Sequence, residues 1–408
     1  MAIQRKKIDP VDPDRDDRSI VTGNMQQRRW IIVTALGTAQ TLAWASSYYL
    51  VAILADPLAR DLAISTTVVF AAFSVAMLLS GLVGPAVGQT IDSIGGREVL
   101  AGSNLLFALG LVLLGLAPSA FAMWLGWLVL GVAMGLGLYD AAFAALARIY
   151  GSAARPAITG ITLFAGFAST VGWPLTAWGV ETIGWRSTCL AWATAHIALG
   201  LPLNLFLLPK TGHISAPAAE TAARPRIRMD RTMWLLSYAF GAGWVVATAM
   251  AAHLPRVLEA AGASATAAIA AGALIGPAQV AARLAEASVL SRFHPLFSAR
   301  IATVTHPIGV VALAISGGAL PWLFALLHGA GNGILTIARG TVPLAVYGPD
   351  NYGYRLGLIS GFVRMSQAAA PIMFAVLLDW MGAGVLLVTS AISLSALVAL
   401  SLVRAQAH

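Results

Sequence analysis

The chain has little of two things that soluble proteins normally carry. Charged residues make up 10% of its 408 positions, whereas a soluble globular domain carries about 25%. It has one cysteine, Cys189, which excludes an internal disulfide and any metal site built from several thiolates. With 58% apolar residues and a mean hydropathy of +0.79, the chain cannot cover a water-facing surface, so we expect lipid to be its solvent.

Three sequence patterns that mark enzymes and pumps are also missing. The chain contains no His-Glu-x-x-His, no Gly-x-Ser-x-Gly and no Gly-x-x-x-x-Gly-Lys, which argues against a metalloprotease, a serine hydrolase and an ATP-driven pump. We therefore expect neither an enzyme nor a cofactor or metal site. Residues 1–29 mix cations with carboxylates and lack the apolar core of a signal peptide, which predicts a disordered cytoplasmic tail.

Twelve apolar runs fill the rest of the chain. A membrane-spanning helix needs about 20 mostly apolar residues, and runs of this kind occupy 30–54, 66–90, 99–117, 120–145, 156–180, 187–208, 233–254, 264–290, 298–316, 320–346, 354–378 and 383–403. They predict an all-α polytopic membrane protein with twelve transmembrane helices. Residues 209–232, rich in Pro, Ala, Thr and cations, predict a cytoplasmic linker between six-helix bundles at 30–208 and 233–404.

The two halves repeat each other. Gly131-x-x-x-Gly135 in the fourth run is followed by Tyr150-Gly151, and Gly329-x-x-x-Gly333 in the tenth is followed by Tyr347-Gly348. We expect these paired glycines to pack helices rather than to bind a ligand. Two six-helix halves in parallel repeat are typical of transporters that hold their substrate between the halves near the membrane midplane.

The distribution of Lys and Arg predicts the orientation. With the N-terminus inside, nineteen of these cations fall on cytoplasmic segments, and the opposite side holds Arg60, Arg186 and Arg256. Positive charge marks the cytoplasmic side, so both termini are expected in the cytoplasm, and the compartment is expected to be a bacterial inner membrane. The net charge of +8 is then a topology signal and a contact for anionic lipids, not a nucleic-acid patch.

A short charged loop joins the second and third runs. It reads Gly88-Gln-Thr-Ile-Asp92-Ser-Ile-Gly95-Gly96-Arg97, in which the glycines permit close helix approach and chain reversal and Asp92 can pair with Arg97. Gly88, Asp92, Gly95 and Arg97 resemble the Gly-x-x-x-Asp-x-x-Gly-x-Arg loop of major facilitator superfamily transporters. The resemblance extends over all twelve runs. It implies a secondary transporter working by alternating access, with this loop as a conformational latch.

Two other positions depart from patterns of that family. Gly131 stands where many proton-coupled members have an arginine, and Gly172-Trp173-Pro174 interrupts the adjacent Gly-Pro pair of its antiporters. The usual proton site and the antiporter assignment are therefore not implied.

Four ionisable residues lie inside predicted spans. A charge at bilayer depth costs about 2.5–3.5 kcal/mol on insertion scales, so Asp140, Arg283, Arg339 and Arg364 are candidates for function. Cations on spans eight and eleven resemble the oxalate–formate exchanger and monocarboxylate transporter branch, where they hold substrate carboxylates. The resemblance implies that Arg283 and Arg364 bind an anionic substrate. The alternative for Arg283 is a structural pair with Glu286 or the capping of a helix end.

Asp140 and Arg339 occupy nearly equivalent places in the repeat. They could form an ion pair across the halves that closes an inner gate. Alternatively, Asp140 could carry the coupling proton, because desolvation raises a carboxyl pKa toward neutrality. His328 is a second candidate proton carrier, or a buried histidine satisfied by a backbone carbonyl.

Other polar and aromatic side chains fall at depths suited to substrate contact: Gln40, Trp44, Tyr49, Asn332 and Gln367. The leading hypothesis is a monomeric secondary active transporter that couples a small organic solute, perhaps an anion, to a proton gradient. Alternatives are efflux of a drug-like or metalloid toxicant, uptake of a vitamin-like solute, or a non-transporting receptor or scaffold. The expected partners are the solute, the proton and membrane lipids, without nucleic acid.

Overall fold

The computed structural model describes residues 13–211 and 227–404, and no strand occurs within them. The first half contains eight α-helices: α1 Pro13–Ala45, α2 Val51–Asp61, α3 Thr66–Ile94, α4 Gly96–Gly115, α5 Ala120–Gly137, α6 Tyr139–Tyr150, α7 Arg155–Ala165 and α8 Ala168–Ala195. The second half contains α9 Arg231–Ala260, α10 Ala265–Ser288, α11 Pro295–Ile315, α12 Pro321–Tyr347, α13 Tyr352–Met381 and α14 Val385–Leu402. Residues 212–226, most of the predicted linker 209–232, lie outside this description.

These helices form the twelve predicted spans. In the first half three spans are broken, because α1 and α2, α5 and α6, and α7 and the start of α8 each make one span in two pieces. Gly184, at φ 81°, separates the fifth span from the sixth within α8, and the sixth ends in π-helical turns at His196–Gly200 and Leu203–Leu207. The second half uses one continuous helix per span. The predicted class, twelve helices in two six-helix halves, is confirmed.

Helix α1 begins at Pro13, inside the segment 1–29 for which the sequence predicted a disordered tail. Proline suits the first turn of a helix because the amide hydrogen it lacks has no partner there. Residues 1–12 lie outside the described ranges.

Seven helical stretches are individually long and apolar enough to cross a membrane. Gln40, Arg339 and Arg364 lie outside those stretches, in helical segments that carry more polar and charged side chains, although the last stretch, Met373–Leu402, begins within α13. Such helices are stable in a membrane when their polar side chains face the interior of the bundle. The least apolar spans therefore surround the molecule's centre.

Each half has its own apolar core. One cluster of buried side chains lies in the first half, with Leu344, Tyr352 and Leu356 of the second half added at its edge. Two further clusters lie wholly within the second half. The molecule is therefore two packed bundles, and a change in their relative position need not disrupt either core.

The end of the molecule with the α3–α4 turn also holds Arg97, Arg155, Arg292 and Arg355, and we name it the basic face. The other end, the opposite face, holds Arg60 and Arg256 near the ends of α2 and α9, and Arg186 beside the Gly184 kink within α8.

Backbone contacts between α3 and α13 join the halves on the basic side. A methyl group on Gly88 would collide with the carbonyl oxygen of Gly353, and one on Gly357 would collide with that of Gly84. Small residues allow helices in membranes to approach until their backbones touch. These glycines therefore set the closest distance between the two halves.

Replacing Gly88 with alanine should push α3 and α13 apart and open the basic face. Ser360 is 2% exposed beside this interface, and the native Cys189 is fully buried. In a Ser360→Cys background, N-ethylmaleimide should therefore label Gly88→Ala faster than its parent. Gly102→Ala is the control, because a methyl group there meets nothing within 4 Å. Equal labelling rates in all three proteins would show that the glycine contact does not hold the face closed.

Candidate functional site

A three-residue charge cluster lies between the halves. Asp140 Oδ1 is 2.6 Å from Arg339 Nη2, and Asp140 Oδ2 is 3.5 Å from Arg364 Nη2. Both arginine side chains are 4% exposed and the carboxylate 14%. A single carboxylate from the first half is thus shared by two cations from the second.

The position of Asp140 follows from a break in the fourth span. Leu138 is extended, at φ −86° and ψ −172°, so α5 ends there and α6 begins at Tyr139. Asp140 consequently lies in the first turn of α6, where the free amide groups and the helix dipole favour a negative charge. The break therefore stabilises the carboxylate at a depth where an isolated charge would be costly.

The two arginines have different further contacts. The Arg339 guanidinium carbon lies 5.4 Å from the ring centroid of Trp244, which is within cation–π range. Arg364 Nη1 lies 3.8 Å from the sulfur of Met77. Asp140 is the carboxylate that the ion pairs assign to both arginines, so their positive charge exceeds the negative charge beside them.

Arg283 lies at the break in the fifth span. Its Nη1 donates to the carbonyl oxygen of Thr162 at 3.2 Å, and its Nη2 lies 3.5 Å from Gln279 Oε1. Helix α7 ends at Ala165, and a cation near the last carbonyls of a helix is favourable. Of the alternatives that the sequence left open, the geometry matches helix capping.

Glu286 does not pair with Arg283, as the sequence had suggested as an alternative, but with Arg155 of the other half. Arg155 Nη2 donates to Glu286 Oε1 at 2.7 Å, and Arg155 also donates to the carbonyl oxygens of Phe293 and Leu290 at 2.6 and 3.1 Å. Glu286 is 1% exposed. This second connection between the halves was missed, although a carboxylate inside a predicted span was signal enough to examine Glu286.

The α3–α4 loop contacts the other half through Asp92. Its two carboxylate oxygens accept hydrogen bonds from the backbone N–H groups of Gly353 and Tyr354 at 2.9 and 2.8 Å, where the sequence suggested Arg97 as its partner. These are unpaired N–H groups of the first turn of α13. Gly95 makes the turn at φ 99°, a conformation that favours glycine. The latch role of Gly88, Asp92, Gly95 and Arg97 remains a prediction.

Aromatic rings line the first-half side of the charge cluster. The ring of Trp44 lies 4.9 Å from that of Tyr139 and 6.1 Å from that of Tyr49. Tyr48, which the sequence analysis did not name, lies 5.2 Å from Trp44 and 5.4 Å from Tyr49. The chain between α1 and α2 supplies the two tyrosines, so the break in the first span gathers these rings.

The predicted polar contacts divide between two places. Gln40 donates through Nε2 to the carbonyl oxygen of Gly137 at 2.6 Å, next to the break that carries Asp140. Gln367, one turn from Arg364 on α13, donates to Thr248 at 3.3 Å. Asn332 instead lines a small cavity within the second half, together with His306 and His328.

His328 contacts another histidine rather than a backbone carbonyl. Its Nδ1 lies 3.0 Å from Nδ1 of His306, whose Nε2 lies 2.9 Å from Thr389 Oγ1. Both rings are buried. The structure thus places His328 and Asn332 within the second bundle, apart from the contacts of Asp140, and their predicted roles are untested.

His294 is a titratable residue at the N-terminus of α11, on the basic face. It precedes α11, and its Nδ1 accepts a hydrogen bond from the N–H of Leu296 at 3.2 Å. Partial burial lowers the pKa of His294, and the charges of Arg155 and Arg300 lower it further. The neutral ring, which alone can accept this bond, is therefore the favoured form at neutral pH.

Comparison with known proteins gives the family. A family model described as Major Facilitator Superfamily matches residues 36–335. The chain belongs to the major facilitator superfamily. It is therefore a multi-pass membrane transporter and not an enzyme.

Its relatives are distant. An uncharacterized 38 kDa protein in the 23S RNA operon of Thermoproteus tenax is 27% identical over 352 residues, covering 80% of this chain and 89% of the relative. The human organic anion transporter MFSD10 has a TM-score of 0.68 at 16% identity, covering 91% of this chain and 99% of its own.

Two sugar symporters have the same fold. The E. coli fucose:proton symporter FucP has a TM-score of 0.67 at 15% identity and covers 90% of this chain and 97% of its own. The proton:xylose symporter XylE has a TM-score of 0.71 at 12% identity, covering 91% and 95%. At these identities the likeness shows the fold of this superfamily member and leaves its substrate open.

Asp140→Asn should lower the free energy of unfolding of the conformation described here by about 3–5 kcal/mol, because it leaves two buried cations without their carboxylate. Asp379→Asn is the matched control. Asp379 pairs with Arg256 at 2.7 Å, close to the 2.6 Å between Asp140 and Arg339, but these side chains are 65% and 58% exposed, and such pairs contribute about 0–1 kcal/mol. Thermal unfolding of both variants in the same detergent measures the difference. Similar losses in both would mean that Asp140 is not the partner on which Arg339 and Arg364 depend.

Acidification should weaken the hydrogen bond by which His294 caps the N-terminus of α11. Stability that depends on the neutral ring is present above its ordinary pKa and is lost as the pH falls through the lowered pKa. His294→Asn retains a side-chain acceptor suited to a helix N-terminus and removes the titration. Between pH 7 and pH 5 the wild type should lose more thermal stability than this variant, and an identical loss in both would contradict the assignment.

Proposed function

We propose that this superfamily member carries a small organic anion by alternating access between the two faces. The observation that supports this is the charge balance between the halves. Arg283, Arg339 and Arg364 are buried there, Asp140 is shared by two of them, and Glu286 is paired with Arg155. An anion would neutralise the excess cations, and a guanidinium can bind a carboxylate through two parallel hydrogen bonds.

The direction of opening follows from where the halves are joined. Arg155–Glu286, Asp92 with α13, and the glycine contacts of α3 and α13 all lie on the basic side. We infer that the basic face is cytoplasmic, because Lys and Arg accumulate on that side, and that this conformation is closed toward the cytoplasm. Substrate would then reach the arginines from the opposite face of the inner membrane.

Substrate and proton would act on the same ion pairs. A substrate carboxylate bound to Arg339 or Arg364 would compete with Asp140 for their N–H donors. Protonation of Asp140 would weaken the same pairs, since a neutral carboxyl loses its attraction to a cation. Either event weakens the ion pairs that join the halves in this conformation. The two conformations would therefore differ in their affinity for substrate or proton, and this difference is what allows a ligand to shift the equilibrium between them.

Thermal stability of the purified protein can test the anion assignment. Potassium oxalate, succinate and benzoate form one panel, and fucose and xylose the neutral panel. A ligand at 100-fold its Kd stabilises the state it binds by about 2.7 kcal/mol. At least one anion should raise Tm while the sugars do not. Arg364→Ala should abolish this increase and Arg256→Ala, in the exposed pair, should retain it. An increase with a sugar alone would overturn the anion proposal.

Proteoliposomes can test proton coupling with the anion found in that screen. An inward pH gradient should drive accumulation by the wild type. Asp140→Asn should lose accumulation but keep exchange of labelled for unlabelled anion, because exchange needs no net proton movement. Accumulation by Asp140→Asn equal to that of the wild type would rule out Asp140 as the proton carrier.

A further inference from the structure

Two tryptophans occupy equivalent positions in the repeat. Trp44 is on α1 and Trp244 is on α9, the helices of the first and seventh spans, and they are separated by almost the same interval as Asp140 and Arg339. Trp44 was a candidate from the sequence, whereas Trp244 was not. The repeat interval itself could have found it.

Each indole contacts a member of the central ion pair or the residue next to one. Trp44 packs at 4.9 Å against Tyr139, the residue before Asp140. Trp244 lies under Arg339, 5.4 Å from its guanidinium carbon. One tryptophan of each half is thus tied to the segment that carries an ion-pair residue.

Both indole N–H groups are buried without a hydrogen-bond partner. An indole nitrogen can only donate, and a buried donor without an acceptor destabilises the state in which it is unpaired. Other tryptophans satisfy this group: Trp173 donates to the carbonyl oxygen of Tyr49 at 3.1 Å, and Trp192 to Thr176 at 3.2 Å. Trp127 also lacks a partner and, like Trp44, belongs to the apolar cluster of the first half, but its ring packs against Phe73 on α3 rather than against Tyr139.

The arginines add to the excess of donors. The Nε groups of Arg283 and Arg339 are buried and unpartnered as well, while Gln40 Oε1 is an unpartnered acceptor beside the same helix break. Four buried N–H donors, one from the first half and three from the second, therefore lack acceptors. Water or a substrate rich in acceptor oxygens could satisfy them, whereas an apolar molecule could not.

We propose that Trp44 and Trp244 each donate a hydrogen bond to the substrate, which is a short organic anion with acceptor oxygens at both ends. One end would meet the Trp44 donor of the first half, and the other would meet Trp244 and the arginines of the second. Such an anion bridges the halves and replaces Asp140 as the connection between them. This inference rests on the proposed anion transport and narrows its substrate class.

Succinate and butyrate are the probes, because they have the same carbon number and differ in one carboxylate. Isothermal titration should show tighter binding of succinate by the wild type. Trp44→Phe and Trp244→Phe keep a ring but delete the N–H, and each should weaken succinate binding roughly tenfold or more. Trp173→Phe is the control and should bind succinate as the wild type does, because Trp173 already donates to a backbone carbonyl.

The outcomes separate the two proposals. If succinate binding needs Arg364 but is unchanged in both Trp44→Phe and Trp244→Phe, the indole assignment is wrong and anion transport stands. Butyrate binding as tightly as succinate would also overturn the two-ended substrate. If neither probe nor any other anion of the panel binds the wild type, the proposed function fails, and this inference fails with it.

A measurement on the wild type covers the case in which a variant does not fold. In protein labelled with ¹⁵N-tryptophan, succinate should move two of the twelve indole N–H resonances, as expected when two donors gain acceptors. Succinate that binds without moving any indole resonance would contradict the proposal.

Discussion

The sharing of Asp140 by Arg339 and Arg364 is the interaction on which the contact between the charged centres of the two halves depends. Water is excluded from the bilayer core, so each of these charges would be costly alone. The carboxylate lies at the start of α6, and the cations lie on α12 and α13. Because its members come from different halves, the cluster is satisfied only when the halves are together, and charge neutralisation becomes a force between two bundles whose cores are otherwise separate.

Contact between the backbones of α3 and α13 brings the two halves close enough for this electrostatic attraction to act. The glycines of α3 and α13 bring the two helices together until main-chain atoms touch, and Asp92 then reaches the N–H groups at the start of α13. Arg155 joins α7 to the end of α10 on the other side of the interface. In the alternating access that we propose, water can satisfy the carboxylate, guanidinium and N–H groups of these contacts when the face opens, so the free-energy difference between open and closed forms can be small enough for a ligand to reverse.

The sequence predicted the spans well because their signal is local. A run of about 20 apolar residues between turns is typical of a membrane helix, and each predicted run falls mainly on helical residues, although three runs of the first half are each divided between two helices. The site was harder to predict, because the cost of a charge in lipid marks each ionisable residue within a span as a candidate but does not identify its partner. The positions of Asp140 and Arg339 in the repeat did suggest their pairing. For Glu286 the sequence suggested Arg283, which lies one turn away, whereas its partner in the structure is Arg155 from the other bundle.

The breaks in helices were the least predictable feature and matter most for the site. Leu138 turns extended within an apolar run, and this places Asp140 in a first helical turn. The break after Ala165 leaves the end of α7 to be capped by Arg283. Neither break contains a proline, and the local signal is a single glycine beside each, Gly137 before Leu138 and Gly166 after Ala165. Continuous helices in the second half supply the arginines, and broken helices in the first supply the carboxylate and the aromatic rings.

This difference between the halves provides an electrostatic attraction that two identical bundles would lack. Equivalent positions of a parallel repeat face each other across the interface between its halves, so identical residues there would place like charges together. Here the nearly equivalent Asp140 and Arg339 have opposite signs, and attraction replaces repulsion. Trp44 and Trp244 have kept the same identity, and both retain an unpartnered donor. The two halves thus carry different residues at the position where they bind each other, and the same residue at the position where, by our proposal, both bind the substrate.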